Sequence, residues 1–168
     1  MKTLTLLRHA KSSWKDLSLP DFERPLNKRG KRDAPFMAQK FKEKGDMPHL
    51  ILSSPSVRTR LTVAAFAKVL PETAVEFDQR IYEAHAQTLL RLIRQQSDKV
   101  TSLVLVGHNP GLTDLTNYFA PRPIDNVPTT GVVQFNFVTT QWQQVTAKEA
   151  SLVYFEYPKL YFPKEETK

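Results

Sequence analysis

The sequence predicts an α/β fold, a three-layer α/β/α sandwich with a mostly parallel sheet and an antiparallel edge. The first observation is alternation: short apolar, β-favourable runs take turns along the chain with segments whose apolar residues recur at helical spacing. The second is the run from Ser102 to Val106, which reads Ser-Leu-Val-Leu-Val and is typical of a strand covered on both faces. Strands and helices that alternate in this way favour a mostly parallel sheet between two layers of helices.

Six strands are expected from the short apolar runs. In chain order they are Lys2 to Arg8, His49 to Ser53, Val75 to Phe77, Ser102 to Val106, Val132 to Val138 and Leu152 to Phe155. The last two strands follow one another without a helix between them. They can pair through the connection from Thr139 to Thr146, which predicts the antiparallel edge of the sheet.

Four helices alternate with these strands. They are expected from Asn27 to about Lys44, from Ser56 to Val69, from Gln87 to Gln96, and from Asn109-Pro110 onward. Asn27 can cap the first helix, and Gly45 ends it. Asn109 can cap the last helix, with Pro110 at its first helical position.

The first helix also shows a clear apolar face. Its apolar residues recur at i, i+3, i+4 and i+7, namely Ala34, Met37, Ala38 and Phe41. Pro35 lies inside this segment and has no backbone N–H to donate, so the sequence predicts a kink or a late start there.

The chain is expected to form one domain over residues 1–168, because no internal repeat or linker interrupts the pattern. The tail from about 160 to 168 is expected to be disordered or loosely packed. No stretch approaches the roughly 18 apolar residues of a membrane span, and the apolar run at the start is too short for a signal sequence. A soluble, cytoplasmic protein without membrane contact is therefore expected.

The composition excludes some chemistry and leaves other chemistry open. The chain has no cysteine, which rules out disulfides, thiolate metal sites and cysteine nucleophiles. Its net charge of +7 could draw in an anionic substrate, or the same basic residues could form a solvated face. No nucleic-acid-binding motif is present, so nucleic acid is not expected as a partner.

Three polar segments follow strands at the positions where α/β sheets bind their ligands. They are Arg8-His9, Ser53 to Arg58, and Gly107-His108-Asn109. In an open α/β sheet the ligand lies beyond the carboxyl ends of the strands. If the three strands are parallel neighbours, these segments converge and bring two arginines and two histidines together.

Such a cluster suits a phosphoryl group. The planar guanidinium matches phosphate oxygens and keeps its charge, and histidine can act as a nucleophile or a proton donor. The helix that begins near Asn109 adds backbone N–H groups at the same edge. Zinc fits less well, because only two histidines are present there and two guanidinium groups repel a cation. Each residue alone could also be structural; their convergence favours a functional site.

The same segments resemble the histidine phosphatase superfamily, and most closely its short SixA-type phosphohistidine phosphatase branch. The resemblance rests on Arg8-His9-Ala10, on Ser54 to Thr62 and on Gly107 to Pro110, in this order along the chain. Further similarity comes from the stretch with Asp21, Arg24-Pro25-Leu26 and Gly30. The similarity runs from about Met1 to Phe155 and implies a phosphoglycerate mutase-like fold.

The resemblance implies a role for each of the four residues. His9 is the nucleophile that carries a phosphohistidine intermediate, and Arg8, Arg58 and His108 bind the phosphoryl oxygens and spread the transition-state charge. No metal and no cofactor are implied. The positive charges of Arg8 and Arg58 disfavour protonation of His9, so we expect a lowered pKa for His9 in the empty site.

Some positions depart from the family pattern. Ala10 stands where the common motif has glycine, which the SixA-type branch tolerates. Ser12 and Lys15 stand where larger members often have threonine and asparagine. Ser12 can still donate a hydrogen bond to phosphate. Lys15 either contacts the phosphate with its charge or points to solvent.

The proton donor to the leaving group is left open. Larger relatives place a glutamate at a spacing that Glu83 matches, and SixA-type enzymes can lack this acid. Glu83 is therefore either a general acid or a surface carboxylate. His85 is an alternative donor. The backbone at Thr129-Thr130-Gly131 is expected to border the pocket.

The short segments between the motifs favour a protein substrate. No long insertion separates the motifs, whereas larger members carry insertions that cap a small substrate, so phosphohistidine in a protein is the expected substrate. One alternative is a small-molecule phosphomonoesterase with Glu83 as its acid. Another is a non-catalytic module that binds phosphate or phosphopeptides. The partner is thus a phosphorylated protein or a small phosphate-containing molecule.

Overall fold

The computed structural model describes residues 1–162 of the 168-residue chain. The strands are β1 (Lys2–Arg8), β2 (Leu50–Ser53), β3 (Ala74–Phe77), β4 (Ser102–Gly107), β5 (Val132–Phe137) and β6 (Ala150–Glu156). The helices are α1 (Lys28–Glu43), α2 (Val57–Val69), α3 (Ala86–Arg94) and α4 (Gly111–Phe119). Short 3₁₀ turns lie at Asp21–Glu23, Gln79–Ile81, Trp142–Gln144 and Pro158–Leu160.

The six strands form one sheet in the order β3-β2-β4-β1-β5-β6. The first four of these run parallel to one another, and β5 and β6 are antiparallel to their neighbours. This confirms the predicted α/β class, the mostly parallel sheet and the antiparallel edge.

Helices pack on both faces of the sheet because successive strand residues point to opposite sides. Leu4 and Leu6 lie in one apolar cluster with α3 and α4, whereas Leu7 lies in a second cluster with α1 and α2. Burying apolar side chains on both faces contributes roughly 25 cal/mol for each Å² removed from water. The result is a three-layer sandwich, as the sequence predicts.

The strand register aligns the carboxyl ends of the central strands. Arg8 at the end of β1 lies opposite Gly107 at the end of β4, and Ser53 of β2 lies opposite Val106. β5 runs the other way beside β1, so the chain enters it at this same edge. The three predicted polar segments and the loop before β5 therefore meet at one edge.

The first helix starts where its Asn27 cap predicts, whereas the predicted start of the last helix is wrong by one residue. α1 begins at Lys28 and contains Pro35 without a late start, because Asn27 caps it by accepting a hydrogen bond from the N–H of Gly30, 2.9 Å away. α4 begins at Gly111, one residue after Pro110. The Asn109-Pro110 peptide bond is cis, and the Asn109 side chain accepts from the N–H of Thr113.

The chain remains packed through Phe162, whose ring lies 4.7 Å from that of Phe36. The rest of the predicted loose tail, residues 163–168, lies outside the described residues. None of the helices in residues 1–162 is long and apolar enough to cross a membrane. The single-domain interpretation and the cytoplasmic location stay predictions.

Candidate active site

Four predicted site residues lie together at the carboxyl edge of the sheet. The rings of His9 and His108 are 5.2 Å apart between centroids, and Nη2 of Arg58 lies 3.3 Å from Nδ1 of His108. His9, Arg58 and His108 are all at most 7% exposed. Arg8 precedes His9 and lies close enough to Arg58 to repel its charge. We call these four residues the cradle.

Backbone contacts fix the position of His9. Its N–H donates to the carbonyl of Gly107 at 3.3 Å. The N–H of Thr130 donates to the carbonyls of both Arg8 and His9, at 3.1 Å each. Thr130 has φ of 59°, a left-handed conformation that a β-branched residue rarely adopts. The loop before β5 thus holds the end of β1 through a strained residue, a feature that clusters at functional sites.

A second contact ties the same segment to α2. The N–H of Ala10 donates to Oγ1 of Thr62 at 2.9 Å, and this hydroxyl donates in turn to the carbonyl of Arg58 at 2.8 Å. Ala10 is fully buried. Thr62 therefore links the backbone next to His9 to the backbone of Arg58, although these residues come from elements far apart in sequence.

Hydrogen bonding assigns the tautomer of His9. Nδ1 lies 2.8 Å from the carbonyl oxygen of Ala10, which can only accept, so Nδ1 carries the proton and Nε2 keeps its lone pair. Burial lowers the pKa of His9 to about 3; the hydrogen bond to Ala10 opposes this, and the charges of His108, Arg58 and Arg8 add to it. His9 is thus a neutral imidazole at physiological pH, with a free nucleophilic nitrogen.

His108 is also neutral and held on both sides. Arg58 can only donate, so Nδ1 of His108 accepts from it, and Nε2 donates to Oγ of Ser54 at 2.7 Å. Burial and the charge of Arg58 lower the pKa of His108 to about 4, against a smaller opposite effect of Asp21.

Arg8 is anchored by the loop before β5. Its Nη1 donates to the carbonyl of Val127 at 3.0 Å, and the side chain of Asn109 donates to the same oxygen at 3.1 Å. Burial and the nearby charge of Arg58 lower the pKa of Arg8 from its ordinary value. Two guanidinium groups close together favour the binding of an anion between them.

Asp21 is a site residue whose role the predictions missed. Its backbone carbonyl accepts from Nη1 of Arg58 at 2.7 Å, and its carboxylate accepts from Nη2 at 3.0 Å. The hydroxyl of Tyr82 donates to the same carboxylate at 2.6 Å. Partial burial opposes ionisation of Asp21, but the hydrogen bonds from Tyr82 and Arg58 and the charges of Arg58 and Arg24 outweigh it and lower its pKa.

Arg24 forms a hydrogen bond with Ser12, the residue predicted to donate to the phosphate. Its Nη2 donates to Oγ of Ser12, and its Nη1 donates to Asp21 at 2.9 Å. Ser12 is buried, and its hydroxyl oxygen accepts from Arg24 in this structure. Lys15 lies on the exposed part of the same loop. The structure therefore links Ser12 to Arg58 through Arg24 and Asp21 and leaves Lys15 exposed.

The two candidate proton donors lie on an exposed turn next to the site. Glu83 is exposed and adopts a φ of 54°, and His85 is exposed at the start of α3. Within residues 1–162, neither side chain forms a hydrogen bond or ion pair with the cradle. Tyr82, directly before Glu83, packs its ring edge-on against His108 at 5.4 Å. Burial and the bond to Asp21 raise the pKa of Tyr82 to about 12, so its hydroxyl stays protonated.

Most of the site residues without a predicted role lie in segments that the sequence singles out. Asp21 and Arg24 lie in the stretch that resembles the SixA-type branch, but only the structure shows that the loop after β1 folds back onto Arg58. Ser54 lies in a predicted segment without an assigned role. Tyr82 gave no signal, because its position depends on how the turn before α3 packs.

Comparisons with known proteins identify the family of the chain. The family model described as histidine phosphatase superfamily, branch 1, matches residues 4–101. An uncharacterized chloroplastic protein of Arabidopsis thaliana is 38% identical over 120 residues, which cover 66% of this chain and 55% of that protein. An uncharacterized protein of Mycobacterium leprae is 28% identical over 165 residues, which cover 91% of this chain and 100% of that protein.

Solved structures show the same fold. The SixA protein of Agrobacterium tumefaciens superposes with a TM-score of 0.82 at 28% identity, and the match covers 94% of this chain and 98% of that one. The protein histidine phosphatase SixA complexed with tungstate has a TM-score of 0.78 at 17% identity, with 95% and 99% covered, and shows the fold alone. The chain therefore belongs to the histidine phosphatase superfamily, branch 1, and is a metal-independent phosphatase.

Proposed function

We propose that this phosphatase removes phosphoryl groups from phosphohistidine in proteins and carries them on His9 during the reaction. One observation supports this most directly: His9 is a buried, neutral imidazole whose Nε2 lone pair is free, beside two arginines and His108. A nucleophile must be unprotonated, and a phosphoryl group needs positive charge around its oxygens.

In the first step, Nε2 of His9 attacks phosphorus in line with the leaving nitrogen. The new N–P bond forms as the N–P bond to the substrate breaks, and a substrate imidazole protonated on its other nitrogen departs as neutral imidazole. The phosphorylated ring of His9 is then a cation, because Nδ1 keeps its proton. The hydrogen bond from Nδ1 to the carbonyl of Ala10 stabilises that charge and holds the ring in place.

In the second step, water attacks phosphorus and the bond to Nε2 breaks. One proton of the water stays on the attacking oxygen, and the other moves to a second phosphate oxygen. His9 returns to its neutral form. Arg8 and Arg58 hold the phosphoryl oxygens in both steps. His108 accepts from Nη2 of Arg58 through Nδ1 and donates to Oγ of Ser54 through Nε2, and it thereby holds the guanidinium of Arg58 beside the phosphoryl group.

Phosphohistidine suits this site because its leaving group departs with little or no general acid catalysis. A sugar or serine oxygen needs a proton donor, whereas a protonated imidazole leaves as a neutral molecule. The exposed position of Glu83, without a contact to the cradle within residues 1–162, agrees with a reaction that does not depend on it. The similarity to the Agrobacterium SixA protein points the same way.

The substrate is tested by comparing kcat/KM on a phosphohistidine-containing protein with kcat/KM on small esters such as phosphoserine and p-nitrophenyl phosphate. We expect the phosphohistidine protein to be the better substrate by at least about a hundredfold, the order of effect that general acid catalysis contributes. Esters hydrolysed faster than phosphohistidine would overturn the substrate assignment.

A small-molecule phosphomonoesterase is the second candidate, and the backbone at Glu83 favours it. A non-glycine residue with φ of 54° is strained, and strained residues cluster at functional sites. Glu83→Gln removes the acid while keeping the shape of the side chain. If this change abolishes ester hydrolysis but spares phosphohistidine hydrolysis, Glu83 is a general acid for esters. The non-catalytic alternative fails if wild-type protein turns over any phosphate substrate and His9→Ala does not.

A further inference from the structure

A groove of about 690 Å³ opens beside Arg8, next to the cradle. Four cationic side chains line it, Arg8, Lys11, Arg29 and Lys159, and among its described lining residues the only carboxylate is that of Asp125. We call it the basic groove. Its volume lies within the roughly 300–1,000 Å³ of ordinary ligand sites.

The basic groove shares Arg8 with the cradle. One wall of the groove is the loop before β5, which contributes Asn126, Pro128 and Thr129. The same loop holds Arg8 through the carbonyl of Val127 at 3.0 Å. The groove thus adjoins the cradle at Arg8, the residue next to His9 in the chain.

Three of the four cations, Lys11, Arg29 and Lys159, have no part in the cradle. The side chain of Lys11 belongs to the loop after β1, and Arg29 belongs to the first turn of α1. The ion pair of Arg29 with Asp33 is long, 3.7 Å, and its side chain is 43% exposed. Partly exposed cations of this kind attract an anion while both groups keep part of their hydration. The loss of hydration that opposes a buried ion pair is therefore smaller here.

The groove also offers apolar surface. Phe155 and Tyr157 contribute to its lining, and their rings lie 5.0 Å apart. A bare inorganic anion gains nothing from such a surface, whereas the carbon chains of aspartate and glutamate side chains and a peptide backbone do. Charge and apolar area together match a short acidic peptide.

We propose that the basic groove is a subsite for acidic residues next to the phosphohistidine of the protein substrate. This deepens the proposed function and rests on it. The cradle binds the phosphoryl group, and Lys11 and Arg29, together with Lys159, bind the carboxylates that flank it. The subsite contributes binding that is equal in ground state and transition state, so its effect lies in KM.

The test uses two synthetic peptides with the same phosphohistidine, one with aspartate and glutamate on both sides and one with serine and glutamine instead. The double variant Lys11→Gln with Arg29→Gln removes two groove charges outside the cradle. Lys42→Gln is the matched control, because Lys42 is an exposed lysine of α1 that does not line the groove.

We expect wild-type protein to favour the acidic peptide in kcat/KM by about five- to tenfold, the effect of two or three partly exposed ion pairs. The double variant should lose this preference through a higher KM and keep its kcat on the neutral peptide, and added salt should weaken the preference. The Lys42 variant should behave as wild type.

The outcomes separate the two proposals. Equal turnover of both peptides by wild-type protein, or an equal loss on both in the double variant, overturns the subsite and leaves the proposed function standing. If neither peptide is hydrolysed while small phosphate esters are, the proposed function itself is wrong, and the subsite falls with it.

Discussion

Asp21 holds the guanidinium of Arg58 at two points, with its carboxylate 3.0 Å from Nη2 and its backbone carbonyl 2.7 Å from Nη1. The third contact of Arg58 is with His108. The orientation of the Arg58 guanidinium is therefore set by a carboxylate and a carbonyl from a loop, and not by the helix that carries it. Asp21 acts through Arg58 and is a positioning residue.

Replacing that carboxylate should weaken catalysis without removing it. Asp21→Asn keeps the shape of the side chain but loses the charge that Arg58, Arg24 and Tyr82 share. We expect kcat/KM to fall about ten- to a hundredfold, the equivalent of about 1.5–3 kcal/mol for hydrogen bonds to a charged group. Steady-state kinetics on a phosphohistidine peptide measures this.

Asp78→Asn is the control for that change, because Asp78 pairs with Arg80 on the exposed turn before α3. It should leave kcat/KM within about twofold of wild type, since exposed ion pairs are worth little. Equal losses in both variants would show that Asp21 has no special role. Asp21→Glu should recover part of the activity by restoring the charge.

Ser54 holds the ring of His108 by accepting a hydrogen bond from its Nε2. Ser54→Ala leaves this nitrogen without a hydrogen bond in a buried site, which costs about 1–3 kcal/mol of stability or orientation. We expect kcat to fall about tenfold, with a smaller change in KM. Unchanged kcat would contradict the assigned role of the hydroxyl.

The two buried histidines should make stability depend on pH. Burial holds the pKa of His9 at about 3 and that of His108 at about 4, whereas both titrate near 6.5 in the unfolded chain. Between about pH 4 and 6.5 the unfolded chain binds more protons, so stability is complete above this interval and falls as the pH is lowered through it. Each proton contributes about 1.4 kcal/mol per pH unit.

Urea unfolding of wild type and His9→Asn over this pH interval measures the effect. The variant should show a shallower dependence of the free energy of unfolding on pH, by up to about 1.4 kcal/mol per pH unit. His85→Asn, a change at an exposed histidine, serves as control and should keep the wild-type slope. Identical slopes in all three proteins would contradict the neutral, buried state of His9.

Gly30 in the first turn of α1 should resist a change that normally stabilises helices. A Cβ at this position would lie 2.2 Å from the carbonyl oxygen of Lys11, so α1 packs directly on the backbone that follows His9. Alanine usually gains about 0.5–1 kcal/mol over glycine in a helix. Here Gly30→Ala should instead destabilise the protein by about 1–3 kcal/mol, the cost of overpacking, and lower its activity.

Chemical unfolding and kcat/KM measured on the same sample test this prediction. Lys28→Ala, an exposed change in the same helical turn, should alter stability by less than about 0.5 kcal/mol. If Gly30→Ala is more stable than wild type, the close approach of α1 to the loop after β1 is not as described.

Local patterns were enough to predict the elements and the edge where the site lies. Each strand shows as an apolar run, and parallel neighbours bring the ends of β1, β2 and β4 together, so Arg8, His9, Arg58 and His108 could be placed from sequence. Pro35 does not delay the start of α1, because the cap at Asn27 and the buried face of the helix outweigh one missing hydrogen bond.

The connections between the site residues could not be predicted, since they depend on tertiary contacts. The loop from Ser12 to Leu26 has no periodic pattern, yet it places Asp21 on Arg58 and Arg24 on Ser12. The support that Thr130 gives to the backbone of Arg8 and His9 needs a left-handed threonine, which no propensity rule would suggest.

In the proposed reaction, Nε2 of His9 carries the phosphoryl group. The most direct measurement is to mix wild-type protein with radiolabelled phosphohistidine peptide, quench within one turnover, and locate the label after digestion. We predict a label that is stable in alkali, lost in acid, and attached to His9, with no label and no turnover in a folded His9→Ala variant. Turnover that persists in His9→Ala, or a label on another residue, would contradict the account.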